Sequence, residues 1–198
     1  GPCAFMDEYN PATVYSSIDY SGRYAFGNQA IIAQWNLRIF GASLYRLLGP
    51  DEKRAAEIIN EQCSLFLDKF NLFWNHEMAR KLGLAECQKQ AVTLVQDYLE
   101  LMDRHDADFT LSFRYLADAI EEKVDLRNLE KLFANDSDLH EWLRRWRELL
   151  TIDGRPFSEI RHNMRAVNPG YIPRNHRVQQ SIEAAIDRGD FSKMNLLL

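Results

Sequence analysis

From residue 28 onward, apolar residues recur at helical spacing, and nowhere do they alternate with polar ones for long enough to make a strand of useful length. The stretch 22–36 opens this pattern. There a polar, glycine-punctuated loop runs into a segment in which Ala33, Leu37, Phe40, Leu44 and Leu48 form one stripe. Ile31, Ile32, Trp35 and Ile39 fill much of the other side. A helix apolar on nearly every side is expected to be buried on nearly every side. Asn28 suits its N-cap, and Gly49-Pro50-Asp51 breaks it. A second long helix carries Ala55, Ile59, Phe66, Phe70 and Phe73 on one face, and Gly83 is suited to the position just past its end. The third spans 86–104 with Ala91, Val95, Tyr98 and Met102 inward. Asp108 caps a fourth, which bears Phe113, Leu116, Ala117 and Ile120. Shorter helices are predicted over 126–133 and 138–150. Another is opened by Pro156 and broken by Asn168-Pro169-Gly170. The last two cover 174–188, closed by Gly189, and 191–198. Ahead of all this, residues 1–27 lack helical periodicity. Pro11, Ser16, Ser17 and Gly22 mark an extended loop, with a short strand expected at 13–15. The fold class is therefore mainly α, with no repeat and no linker-like composition shift.

Composition changes this picture little. The chain has 198 residues, 46% apolar and 27% charged, which suits a soluble globular protein with a sizeable core. No apolar run approaches the roughly 20 residues of a membrane helix, so no membrane partner is expected. The net charge of −5 argues against a general nucleic-acid binder. Cys3, Cys63 and Cys87 are odd in number and lack metal spacing. They read as free thiols in a reducing compartment, taken as the cytoplasm.

Candidate chemistry is sparse. His76-Glu77 lacks the second histidine four residues on that a zincin helix requires. Asp103, His105, Asp106 and Asp108 cluster between two helices, where capping accounts for them without a metal. Arg144, Arg145 and Arg147 interleave with Trp142 and Trp146, a pattern that can bind nucleic acid. Yet Leu139, Trp142, Leu143, Trp146 and Leu150 have core spacing, so the arginines read as a wet face. Arg174, Asn175, His176 and Arg177 follow the turn at Asn168-Pro169. Arginine there could grip an acidic group or tie the turn to the body, and a structural role is the expectation. Arg23, Tyr24, Asn28 and Gln29, anchored to the first helix, are the foremost candidates for function. Two readings stand for them: a loop that faces an acceptor substrate, or a buried hydrogen-bond network that fixes the loop in place.

Several of these stretches, taken in order, resemble the selenoprotein O family of kinase-like protein adenylyltransferases. Gly22-Arg23-Tyr24-Ala25-Phe26-Gly27-Asn28-Gln29 and the following Ile31, Trp35, Asn36 and Leu37 match that family's run, with Ala30 in place of its proline. Gly1-Pro2-Cys3-Ala4-Phe5-Met6-Asp7 looks like its Gly-Pro-Phe-x-Phe-Met-Asp. The run from Asn168 to Asn175 looks like its Asn-Pro-x-Tyr-Ile-x-Arg-Asn, and Gly189-Asp190-Phe191 like its Gly-Asp-Phe.

The resemblance implies the helical C-terminal lobe of a protein-kinase-like fold over 28–198, preceded by an activation-segment-like loop over 1–27. It implies a parent enzyme that transfers AMP from ATP to Ser, Thr or Tyr hydroxyls of proteins with Mg²⁺ or Mn²⁺. The family's metal-binding Asp falls just ahead of Gly1, as do its nucleotide-binding and catalytic residues. Asp19-Tyr20-Ser21-Gly22 is therefore a turn rather than the metal-binding tripeptide. No catalytic, cofactor-binding or metal-binding residue is expected within these 198, and the chain alone is expected to be inactive and without cofactor. Its expected partners are protein substrates and the parent's own N-terminal lobe. Without that lobe the loop 1–27 is expected to be mobile or displaced. Tyr15 stands where many members carry an activation-segment Cys, so their redox feature is not carried over. The alternative is a helical interaction module that works by itself, presenting a groove to a protein or peptide.

Overall fold

The computed structural model describes residues 4–84, 89–121, 125–134 and 136–198. Cys3, Cys87, the first residues of the Gly-Pro motif and the predicted start of the third helix at 86 lie outside them. The described helices are α1 (Gln29–Ser43), α2 (Glu52–Lys81), α3 (Lys89–Arg104), α4 (Phe109–Leu116), α5 (Arg127–Leu132), α6 (Ser137–Asp153), α7 (Phe157–Val167), α8 (Asn175–Arg188) and α9 (Ser192–Leu197). No strand forms among the described residues, so the chain is mainly helical. The strand expected at 13–15 has no partner to pair with. Thr13 and Pro11 instead offer their carbonyls to the N–H groups of Phe26 and Gly27.

The core lies between the C-terminal half of α2 and helices α3, α4, α6 and α7. From α6, Leu139, Trp142, Leu143, Trp146 and Leu150 are all buried, as the spacing predicts. Trp142 stacks on Tyr98 of α3 with ring centroids 4.4 Å apart, and on Trp146 at 5.7 Å. Both indoles are satisfied: Trp142 Nε1 donates to the Leu94 carbonyl at 2.9 Å and Trp146 Nε1 to that of Leu82 at 2.8 Å. Of the interleaved arginines, Arg144 pairs with Glu141 and Glu148, and Arg145 with Asp97. Arg147 reaches back to the Ala119 carbonyl.

Local signals set several boundaries. The Asp108 carboxylate accepts from the Leu111 N–H at 2.7 Å and so caps α4. Past α2, Gly83 adopts φ +77. Its N–H bonds to Arg80 O, and the Leu84 N–H to Ala79 O, the paired closure of a helix that ends in a left-handed residue. A side chain at Gly83 would also meet α7, because a Cβ there would stand 2.7 Å from Ile160 and 2.8 Å from Met164.

Three expectations need correction. Helix α1 ends at Ser43 and tightens into a 3₁₀ turn, Tyr45–Leu47, ahead of Gly49-Pro50, as the N–H groups of Leu44 and Leu47 turn to carbonyls three residues back. On α2 the inward stripe passes through Ala55, Ile59, Cys63, Phe66, Phe70 and Trp74, while Phe73 is exposed. Positions 73 and 74 both continue a helical stripe from 70, and contact between Phe26 and Trp74 selects the second. Most consequentially, no residue of α1 is buried. Ile31, Trp35, Ile39 and Phe40 remain 47–62% exposed. The physical reason is a shortage of partners, because α1 packs on α2 along one side only. There Gly41 lets the helices approach so closely that a Cβ would stand 2.6 Å from Ile59. Gln34 bonds the Cys63 carbonyl across the same seam.

One cation sits in apolar surroundings. Lys81 closes α2 with its ammonium 4.5 Å from the centroid of the Phe113 ring and 5.7 Å from that of Phe109. Burial pulls its pKa from 10.5 down to about 8, since low dielectric disfavours the charged form. The unfolded chain therefore binds the extra proton between about pH 8 and 10.5, and folding stability contributed by this group rises with pH across that window. At neutral pH the charged, half-buried lysine costs up to about 3 kcal/mol, less roughly 1 kcal/mol returned by the rings. Lys81→Met is expected to raise the urea midpoint at pH 7, and its advantage over the native chain should shrink toward pH 10. An advantage that stays constant with pH would refute this account.

Candidate functional site

The loop that leads into α1 is built by one carboxylate. Asp19 accepts the Arg23 N–H on one oxygen at 2.9 Å and the Tyr24 N–H on the other at 2.8 Å. This fits a turn role. Gly22 sits at φ +66, open to glycine at little cost. Asn28 and Gln29 complete the knot with their side-chain amides. Asn28 Nδ2 donates to Gly22 O at 2.9 Å, and Gln29 Nε2 to Tyr24 O and Ala25 O. Asn28 thus precedes α1 without capping it through its side chain, because that amide is spent on the loop. Most of these bonds lie at the surface, and the one from Gln29 to the Ala25 carbonyl is part-buried.

With the backbone fixed this way, the Arg23 side chain is left outward. Its guanidinium lies 4.4 Å over the centroid of the Trp35 ring, nearly two helical turns into α1, and 5.7 Å from that of Tyr24. Arg23, Tyr24, Gln29 and Asn36 line a cleft of about 770 Å³ whose apolar side includes Ile18 and Ile32. Arg23, Tyr24 and Gln29 are therefore brought to one cleft, whereas Asn28 buttresses its rim. Sequence reading did not single out Trp35 as the platform under Arg23. The i+12 separation is too long for a local pattern, and the ring was assigned to the core.

The second group lies elsewhere. Asn168 is fully buried, and its Nδ2 donates at 2.8 Å to the Lys81 carbonyl at the end of α2. Its own carbonyl accepts from Arg114 at 3.2 Å. Pro169 holds it extended, with φ −106 and ψ 107, as a residue before proline prefers. Six residues on, Arg174 contacts both Asp7 and Asp108, and Asn175 Nδ2 donates to the Phe5 carbonyl at 2.9 Å. The acid that Arg174 grips at the N-terminal end was invisible in the sequence, since 167 positions separate it from Asp7.

The loop that precedes α1 lies against the helical body, not displaced from it. Tyr9 donates to Ala107 O at 2.9 Å and Phe109 to Asp7 O at 2.8 Å, while Met6, Tyr9 and Ala25 are buried. Tyr15 is half-buried against the core, and that burial pushes its phenol up. Asp103, His105, Asp106 and Asp108 do not converge. His105 Nε2 lies 2.7 Å from Asp136, and Asp108 serves the α4 cap and Arg174. No three His, Cys, Asp or Glu side chains among the described residues are placed to hold a metal. No described helix is long and apolar enough to cross a membrane.

Comparison with known proteins places these features in context. The family model described as protein adenylyltransferase SelO matches residues 1–198. A protein nucleotidyltransferase YdiU of Rhodopseudomonas palustris is 44% identical over all 198 residues, as is one from Rhizobium johnstonii. The protein of that name from Rhizobium meliloti is 43% identical over the same length. In each case the match covers the whole of this chain and 40% of the relative.

Proposed function

The chain belongs to the protein adenylyltransferase SelO family, and from that premise we propose that the protein containing it transfers AMP from ATP to Ser, Thr or Tyr hydroxyls of proteins. The observation that carries this reading is the family match over all 198 residues, motif-bearing loops included. In such a transfer the acceptor oxygen attacks the α-phosphorus, the bond to the bridging oxygen breaks, and pyrophosphate leaves. The hydroxyl proton passes to a carboxylate. ATP and a divalent cation, Mg²⁺ or Mn²⁺, are cofactors of that whole protein, and the cytoplasm is its compartment.

The residues described here do not fit the metal. Their nearby carboxylates are engaged, Asp19 by two backbone N–H groups and Asp7 and Asp108 by Arg174. No step of the reaction is therefore assigned to them. This chain supplies instead the helical C-terminal lobe of a kinase-like fold, residues 28–198, and the activation-segment-like loop before it. Arg23, Tyr24 and Gln29 face the acceptor protein across the cleft, and Asn28 fixes the loop that carries them. The open side of α1, with Ile31, Trp35, Ile39 and Phe40, is where the rest of the same polypeptide packs. Apolar area of that kind rarely stays bare in a monomer.

That open side also favours a second reading, a helical interaction module whose groove holds a separate protein. Labelled ATP distinguishes the two, with the 198-residue chain and the full-length protein assayed side by side. Label reaching protein from the α-phosphate, with the full-length protein alone, is the expected result. Label from the γ-phosphate would make the parent an ordinary kinase, and self-labelling by the isolated chain would show that the reaction centre is not elsewhere. No transfer by either would favour the interaction module.

A further inference from the structure

The first described part of the activation-segment-like loop, residues 5–9, meets the helical body around one guanidinium. Arg174 Nη1 lies 2.5 Å from Asp7 Oδ1 and 2.5 Å from Asp108 Oδ2. The Arg174 and Asp108 side chains are only 23% and 18% exposed and that of Asp7 is 40% exposed, so the Asp108 half of the cluster is shielded from the screening that weakens surface pairs and the Asp7 half less so. Asp108 has a second duty, capping α4 through its other oxygen. Backbone bonds flank the ion cluster on both sides, from Tyr9 to Ala107 and from Phe109 to Asp7. Asn175, the neighbour of Arg174, holds the Phe5 carbonyl. Phe5, Asp7 and Asn175 also line a cleft of about 590 Å³ together with residues 13–17. The far end of the chain thereby sets one wall of a cleft formed by its beginning.

We propose that Arg174 is a positioning residue, its guanidinium holding Asp7 to Asp108 so that residues 5–9 and the cleft they line keep one place against the helical body during AMP transfer. The proposal rests on the adenylyltransferase reading for its last clause only. Two carboxylates share one cation here. Removing that cation leaves two like charges facing each other in a partly desolvated site, which drives the segment outward rather than merely weakening a contact.

Hydrogen exchange on the full-length protein tests the clamp without any assay of activity. In Arg174→Gln, amides in peptides covering 5–11 are expected to exchange about tenfold faster or more, because a local opening is made easier, while α6 stays as protected as in the native chain. Asp108→Asn keeps a good capping side chain but removes one charge, so added to Arg174→Gln it relieves the repulsion between the two carboxylates and should slow the 5–11 amides part of the way back toward the native rate. Arg174→Lys should restore part of the protection. Unchanged exchange at 5–11 in Arg174→Gln, or equal acceleration in α6, overturns the clamp.

In the full-length protein, Arg174→Gln should then lower kcat for transfer of α-label about tenfold with KM for ATP within twofold of native. Wild-type turnover in that variant would overturn the positioning role. Absence of transfer by the native full-length protein would instead defeat the adenylyltransferase reading, and the exchange result would still decide whether Arg174 holds the segment.

Discussion

Trp142→Ala is expected to cost about 4 kcal/mol of folding stability, a large part of the 5–15 kcal/mol that roughly bounds a domain of this size. The ring is fully buried at the point where α3, α4 and α6 meet. It stacks on Tyr98, which in turn touches Phe113 at 5.4 Å and Phe133 at 5.7 Å between centroids. Neighbours packed this densely relax only in part, so a cavity remains in addition to the lost transfer energy. The Tyr98 hydroxyl is fixed by its bond to the Ser112 carbonyl at 3.0 Å, which limits the collapse of its ring into the gap. Urea unfolding followed by circular dichroism reads the loss. Trp142→Phe should recover more than half of it, because a ring remains to stack on Tyr98, while the smaller ring's residual cavity and the lost bond to the Leu94 carbonyl, worth about 1 kcal/mol, account for the rest. Arg144→Ala, on the opposite face and paired with exposed glutamates, should leave the urea midpoint close to native. A Trp142→Ala loss no larger than that of Arg144→Ala would mean that α6 does not organise the core.

What could be read from the sequence was what neighbours in sequence decide. The α6 stripe, the Asp108 cap, the closure at Gly83 and the extended residue before Pro169 each depend on side chains within a turn or two, and each lies where spacing put it. The errors arise where a distant partner decides. The apolar surround of α1 predicts burial, but burial needs material on every side, and among the described residues the one long helix packed along it is α2. Phe73 lost to Trp74 because Phe26, far back in the loop, sits against the latter. The candidate site divides in the same way. The Arg23–Gln29 knot is local and was legible as a rigid loop. The reach of Asn168 to Lys81 and of Arg174 to Asp7 spans 87 and 167 positions, and no pattern of residue types marks such pairs in advance.

Arg23→Ala separates the two roles open to the loop, and the geometry makes the expected outcome unequal between stability and activity. Nothing in the fold of the loop is routed through the guanidinium. Its backbone N–H is held by Asp19, as is that of Tyr24, and the carbonyls of Gly22, Tyr24 and Ala25 are held by Asn28 and Gln29. The side chain itself rests on the face of Trp35, an exposed contact worth about 0.5–1 kcal/mol. Truncation should therefore move the melting temperature of the full-length protein by no more than about 2–4 °C. If the cleft beside Arg23 receives the acceptor protein, transfer of α-label to that protein should fall about tenfold or more, the scale on which misplacing a reacting group acts. KM for ATP should remain near native if, as proposed, the nucleotide is bound by other residues. Asp19→Ala provides the contrast, since it releases two backbone N–H groups and loosens the whole loop, lowering stability and transfer together. Transfer by Arg23→Ala within twofold of native would remove the acceptor role, and a melting temperature lowered as far as in Asp19→Ala would make Arg23 a structural residue after all.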